Sequence, residues 1–277
     1  MAEAFGRAAA RRALAEDRAR DDVTTRLLGA AAESPATARF VAEGRFVVAG
    51  VPVVATVFAE LDAAARVVPG LAEGAWCEPG APIATVQAPA GTLLAGERVA
   101  LNFLQHLSGV ATLTRRAVDA VAGTPARITH TRKTTPGLRA LEQYAVEVGG
   151  GVDNRASLAD AVLWKDNHWA LLAGQSLRAA LDAVQPGLPV IVEVESEAQL
   201  EEALAAGVRH LLVDNQPPGR LAAWARRAGP AVAIQASGGI TPQSARAYAE
   251  AGAKLIAIGA LTHSAPAAQI RCDITEI

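Results

Sequence analysis

The chain has 277 residues, enough for one large domain or two modest ones, and 51% of them are hydrophobic. Its net charge of −2 lacks the basic surplus of a nucleic-acid binder, and no apolar run approaches the roughly 18 residues of a membrane span. Two cysteines, Cys77 and Cys272, have no metal-type spacing and suggest no disulfide framework, so a reducing, cytoplasmic setting is expected.

Arg7, Arg11, Arg12, Arg18 and Arg20 hint at a transit peptide, but Glu3, Glu16 and Asp17 interrupt them. Residues 8–20 therefore read as a solvated first helix. DDVTTRLL, residues 21–28, reads as a cap followed by a short ordered turn. ATARFVAEGRFVVAG and APIATVQAP read as short strands between Gly and Pro turns. Between them VPVVATVFAELD has helical spacing, with Val54, Val57, Phe58 and Leu61 on one face. A long amphipathic helix is expected from about Gly96 to Val121, striped by Leu101, Leu104, Leu107, Val110, Ala111, Ala117 and Val118. Gly123 ends it and Pro125 prevents its resumption.

From there the rhythm is strand, loop, helix. Strand candidates are 126–130, 161–164, 190–194, 210–213, 232–235 and 255–258; helix candidates are 137–148, 177–183, 198–206, 219–228 and 242–251. Short apolar strands alternating with helices imply a parallel sheet covered on both faces. Polar residues sit just past the strand ends, where a β/α barrel and an open doubly wound sheet both build their sites. Six or seven such units without a GxGxxG start favour the barrel.

Three groups carry chemistry. Arg132, Lys133, Arg155 and Lys165 form a cationic group able to neutralise about four negative charges, as a dicarboxylate with a phosphorylated co-substrate requires. A surface ion-pair network with Glu142 and Glu147 is the competing reading, and Arg139, one turn into the following helix, is open to either. Glu193 and Asp214, ending successive strands, suit sugar hydroxyls or a hard divalent cation; Glu195 shares the face of Glu193 if the strand continues, but is expected to start the next loop. QASGGIT (235–241) and AIGALTHS (257–264) are Gly loops suited to a phosphate, with His263 as a further donor. Arg98, opening the long helix against its dipole, reads in isolation as an exposed residue. His168 reads as a hydrogen-bonding loop residue, and Trp164 and Trp169 flank Lys165.

TRKTTPGLR, GGG, Arg155, KDNH, Glu193, LLVDN, SGG and IGALTHS occur in the order seen in quinolinate phosphoribosyltransferases, and DDVTTRLL and AGERVALNFLQHLSGVAT resemble the first half of that family. The resemblance covers nearly the whole chain. It implies an α/β fold: an N-terminal α/β sandwich over residues 1–110, joined by the tail 266–277, and a seven-stranded, TIM-like incomplete β/α barrel over 111–265. It also implies a homodimer in which Arg98 reaches the partner's site. Arg132, Arg155 and Lys165 match quinolinate-binding cations. Lys133, Glu193 and Asp214 match residues around phosphoribosyl pyrophosphate and its Mg²⁺, bound directly or through water. Ser237, Gly238, Gly239, Gly259 and His263 match the 5′-phosphate cradle.

Three positions depart from the family pattern. Asn154 stands where His usually precedes Arg155, in the quinolinate-binding set, and Asn cannot carry a positive charge. Gln235 stands where an acidic residue is common, and Ala236 where a small hydroxyl residue is often found. The implied activity is phosphoribosyl transfer to quinolinate with decarboxylation, in NAD biosynthesis. Asn154 motivates an alternative, a phosphoribosyltransferase for another pyridine or azole acid. From other classes, a biotinyl or lipoyl carrier is suggested by the turn-rich residues 70–95, but no lysine precedes Lys133. A non-catalytic binder of phosphorylated ligands also remains.

Overall fold

The computed structural model describes residues 2–172 and 174–276. In chain order its elements are α1 (Ala2–Glu16), β1 (Pro35–Ala42), β2 (Phe46–Val47), α2 (Val51–Leu61), β3 (Arg66–Pro69), β4 (Trp76–Cys77), β5 (Pro82–Pro89) and α3 (Ala90–Ala120). Then follow β6 (Arg127–Thr129), α4 (Arg139–Val148), β7 (Val162–Trp164), α5 (Asp166–Ala170), α6 (Leu177–Leu181), β8 (Val190–Val194) and α7 (Glu197–Ala205). The last are β9 (His210–Asp214), α8 (Pro218–Ala228), β10 (Ala233–Ser237), α9 (Pro242–Glu250), β11 (Leu255–Ala257), α10 (Ala260–His263) and β12 (Ile270–Glu276).

Two compact units result. One holds residues 1–115, 134–150 and 261–277; the other holds 116–133 and 151–260. The first is built on an antiparallel sheet ordered β12-β1-β5-β3, with β2 and β4 forming a separate pair. Its core includes Phe40, Phe58, Ile83, Leu93, Leu104 and Leu107, all fully buried. Each such side chain contributes about 1.5–3 kcal/mol of transfer free energy. The N-terminal helix is shifted relative to the span 8–20 read from sequence. Arg18 adopts a left-handed conformation (φ 51°), which a continuing α-helix cannot contain. The following turn is capped as expected: Asp22 accepts from the N–H groups of Thr24 and Thr25.

α3 begins six residues before the expected Gly96, directly after Pro89. Its expected stripe is buried at Leu101, Leu104, Leu107, Val110, Ala111 and Ala117. Close backbone approaches bring other segments onto it. A Cβ at Gly109 would overlap the Pro266 carbonyl, and one at Gly149 would lie 2.6 Å from the Ala111 carbonyl oxygen. The tail is tied down by Ala268 N–H donating to the Gln105 carbonyl and by the Gln105 side chain donating to the Ile270 carbonyl. α4 is held in the same unit by Tyr144, whose hydroxyl donates to Glu73 at 2.5 Å, while Glu73 also accepts from the N–H groups of Gly50 and Val51 at the start of α2.

The second unit carries a parallel sheet ordered β6-β11-β10-β9-β8-β7. The seventh barrel strand is reduced to a single parallel bridge, Thr129 to Val152. Among the described residues no strand pairing joins Val152 to β7, so the barrel is open there. Ile128, Leu177, Leu200, Leu211, Leu221 and Ile256 fill this unit's interior. Ser196 and Thr241 cap α7 and α9 reciprocally with Gln199 and Ser244. No helix among the described residues is long and apolar enough to cross a membrane.

Gly109→Ala should destabilise the chain by about 1–3 kcal/mol, the usual cost of overpacking. Gly219→Ala, at a helical position with open space around its Cα, should be close to neutral. Denaturant midpoints of the two variants measure the contrast.

Candidate active site

Because β6 to β11 are parallel, their C-terminal ends share one edge of the sheet, and the residues singled out above fall there. Arg132 and Lys133 follow β6, Asn154 and Arg155 follow the Val152 bridge, and Lys165 follows β7. Glu193 is the penultimate residue of β8, Asp214 and Ser237 are the last residues of β9 and β10, and Gly259 lies two residues past β11. Arg98 and His263 belong to the other compact unit.

The charged groups of this edge sense one another. Burial lowers the Arg155 pKa from its ordinary value, and the neighbouring charge of Arg132 lowers it further, while Asp160 and Glu193 act in the opposite sense. The carboxyl of Glu193 is pushed up to about 7, first by burial and then by the charge of Asp214; Lys165 partly offsets this. Glu193, Glu195 and Asp214 each place a carboxylate oxygen within 4.8 Å of the others. Glu195 does begin the loop after β8, and its carboxylate lies beside that of Glu193, the face that strand alternation would give it. Three carboxylates at that spacing repel one another, and hard oxygen donors of this kind fit Mg²⁺.

Side-chain bonds to the backbone fix the loops that carry these groups. Gln216, nearly buried, donates to the carbonyls of Glu195 and Asp214, and Arg220 donates to its oxygen. Trp169 donates its indole N–H to the Glu193 carbonyl at 2.9 Å and meets Trp164 edge-on at 6.2 Å. His168 accepts from the Lys165 N–H at 3.2 Å, in keeping with a hydrogen-bonding loop residue. Lys133 is exposed, and its N–H donates to the Thr131 hydroxyl. Glu142, the proposed surface partner of the cations, is fully buried instead; it contacts His106 at 2.9 Å and accepts from the Thr135 N–H.

The Gly loop after β10 has the backbone of a cradle. Gly238 and Gly239 both have positive φ, 93° and 61°. A Cβ on Gly238 would collide with Asn215, itself at φ 53°, whose N–H donates to the Ser237 carbonyl. Gly239 faces open space. Gln235 does not join the site: its carboxamide oxygen meets His210 at 2.9 Å inside the sheet, and Ala236 is fully buried. Asn154 is bound within the chain, donating to the His130 carbonyl and accepting from the Arg155 N–H. His263 is exposed, with Nδ1 at 2.6 Å from the Ser264 hydroxyl. Arg98 lines a cleft of about 450 Å³ in the first unit, with Arg12, Asn102 and His106. Gln216, Trp169 and Asn215 are the residues that sequence reasoning left out of the site; only Gln216, in DNQPP between a strand and a helix start, carried a local signal.

An incomplete β/α barrel whose strand ends collect a cation group, a carboxylate cluster and a glycine turn has the makeup of proteins that handle phosphorylated and carboxylated small molecules. Comparisons narrow the class. Family models described as quinolinate phosphoribosyl transferase, N-terminal domain and C-terminal domain match residues 22–108 and 110–273, so the chain belongs to the quinolinate phosphoribosyltransferase family. It is 43% identical to the nicotinate-nucleotide pyrophosphorylase [carboxylating] of Mycobacterium leprae, over 95% of each chain. It is 40% identical to a probable nicotinate-nucleotide pyrophosphorylase [carboxylating] of Bacillus subtilis, over 88% of this chain and 85% of that one. The crystal structure of NadC from Streptococcus pyogenes superposes with a TM-score of 0.90 at 33% identity, covering 97% of this chain and 95% of the other.

The raised Glu193 carboxyl has a consequence for stability. A carboxyl shifted upward on folding favours the folded state below its unfolded pKa, and that contribution is lost as pH rises through about 7. Glu193→Gln should therefore raise the melting temperature, measured without divalent cation, more at about pH 8 than at about pH 5. An equal change at both pH values would contradict the shift.

Proposed function

We propose that this chain is a pentosyltransferase that moves the phosphoribosyl group of phosphoribosyl pyrophosphate to quinolinate and releases CO₂ and pyrophosphate. The product is nicotinate mononucleotide, in NAD biosynthesis. The observation that carries the reading is the adjacency of Arg132, Arg155 and Lys165 to the Glu193, Glu195 and Asp214 carboxylates at one sheet edge. The names of the relatives support the same reaction, and nothing in them favours a different pyridine or azole acid.

In this reading Arg132, Arg155 and Lys165 pair with the two carboxylates of quinolinate and aim its ring nitrogen at C1 of the ribose, so that proximity supplies much of the acceleration. As the nitrogen–C1 bond forms and the C1–oxygen bond to pyrophosphate breaks, positive charge develops on the sugar. Glu193 and Asp214 lie where they stabilise it and accept from ribose hydroxyls. Lys133 meets charge growing on the leaving pyrophosphate. Mg²⁺, held by Glu193, Glu195 and Asp214 directly or through water, would add Lewis-acid stabilisation of the phosphate oxygens. Ser237, Gly238, Gly239, Gly259 and His263 hold the 5′-phosphate. The alkylated pyridinium then loses its 2-carboxylate: the carbon–carbon bond breaks, its electron pair stays on C2 beside the positive nitrogen, and a proton from water replaces CO₂.

The working form is a homodimer in which Arg98 completes the partner's dicarboxylate site. A cytoplasmic place agrees with the free thiols of Cys77 and Cys272.

Purified protein with Mg²⁺ and phosphoribosyl pyrophosphate should release CO₂ and form nicotinate mononucleotide from quinolinate; activity on nicotinate alone would overturn the assignment. Lys165→Ala should weaken quinolinate binding by roughly 10- to 100-fold, as expected for lost charge-assisted bonds, and phosphoribosyl pyrophosphate binding far less. Calorimetric titration of each substrate checks this, and equal losses for both would remove Lys165 from its assigned place.

A further inference from the structure

We infer that His130, Asp153 and Asn154 form a clamp that positions Arg155, and that Asn154 acts on the dicarboxylate only through this clamp. The inference rests on the function proposed above.

The barrel is open beside Val152, so the segment 152–155 has a strand partner on one side only. A one-residue bridge orients a loop poorly, and the chain supplements it with a ladder of side-chain bonds. Val152 N–H donates to the Ile128 carbonyl at 2.8 Å, and the Thr129 hydroxyl donates to the Val152 carbonyl at 2.9 Å. One residue further on, His130 Nε2 lies 2.9 Å from Asp153 Oδ1, which also accepts from the backbone N–H of Asn154 at 2.7 Å. Asn154 then returns the connection: its Nδ2 donates to the His130 carbonyl at 3.2 Å. Residues 128–130 and 152–154 are thus zipped together, step by step, beyond the point where strand pairing stops.

Arg155 is the next residue, and it is held at both ends. Its N–H donates to Asn154 Oδ1 at 2.9 Å, and its Nη1 donates to the Ala161 carbonyl at 3.2 Å, just before β7. The guanidinium therefore spans the opening of the barrel. A guanidinium has five N–H donors, so one bond to Ala161 leaves a fork for a carboxylate. The oxygen of the Asn154 carboxamide and one of its donors are committed to the backbone on either side. The His130 side chain is completely buried, which makes it a support rather than a ligand contact. Asp153 is 70% exposed, so its substitution tests the clamp with little risk to folding.

Asn154→Ala should raise the KM for quinolinate roughly tenfold, the loss expected when a polar anchor worth about one hydrogen bond is removed. The KM for phosphoribosyl pyrophosphate should stay within about twofold. Asp153→Ala should change the same constant in the same direction. The double variant should be no worse than the more affected single one, because both substitutions break one device. Multiplying effects on the quinolinate KM would mean that Asn154 touches the dicarboxylate itself, and would overturn the inference. Hydrogen exchange provides a readout that needs no activity: in both single variants the amides of residues 152–155 should exchange faster while those of β8 and β9 do not. Unchanged exchange at 152–155 would also overturn it. A wild-type protein inactive on quinolinate would instead defeat the proposed function, and the exchange experiment would still decide whether the clamp exists.

Discussion

Parallel pairing of β6 to β11 makes every strand end at the same edge of the sheet, and the site depends on what is crowded there. Like charges accumulate in two groups: Arg132 with Arg155, and Glu193 with Glu195 and Asp214. Burial first, and the neighbouring like charge second, lower the Arg155 pKa and raise that of the Glu193 carboxyl. Each group also partly relieves the other, because Glu193 acts against the depression of Arg155 and Lys165 acts against the rise of Glu193. Under the proposed function, cations and carboxylates already held in this arrangement would meet the substrates and Mg²⁺ with little reorganisation.

Crowding of that kind needs stiff loops, and the chain obtains them by assigning neutral polar side chains to backbone groups. Gln216 ties the Glu195 and Asp214 carbonyls together, and Trp169 holds the Glu193 carbonyl. None of these groups is charged, so they stiffen the loops without altering the electrostatic balance.

Much of this was legible in the sequence, for identifiable reasons. The apolar runs of β8, β9 and β10 are short, bounded and followed by polar residues, so their ends could be located, and with them Glu193, Asp214 and Ser237. Val152 could not be seen as a strand because one residue within GGGVDN has no periodicity to detect. β12 exists through its register against β1, a pairing between opposite ends of the chain that no local window contains. The early start of α3 was hidden by Gly91, which reads as a turn residue and is tolerated here within the helix. The Glu195 carboxylate could not be placed, because alternation sets it beside Glu193 only while the strand continues and a loop residue has no fixed side-chain direction. Gln216 and Trp169 were missed because their bonds are made to carbonyls, which carry no sequence signature.

The departures from the family pattern become intelligible when each is taken with its partner. Gln235 in place of an acidic residue looks, on its own, like a lost charge. In the structure its neighbour is His210, whose pKa is lowered by burial, so the neutral imidazole is the favoured form. A neutral carboxamide can hydrogen-bond a neutral imidazole in either tautomer without placing an ion in the sheet, whereas a carboxylate there would incur a desolvation penalty or draw a proton onto the histidine. Asn154 follows the same logic, exchanging a possible charge for two bonds to the backbone around Arg155. In both places a carboxamide avoids the cost of an unpaired ion.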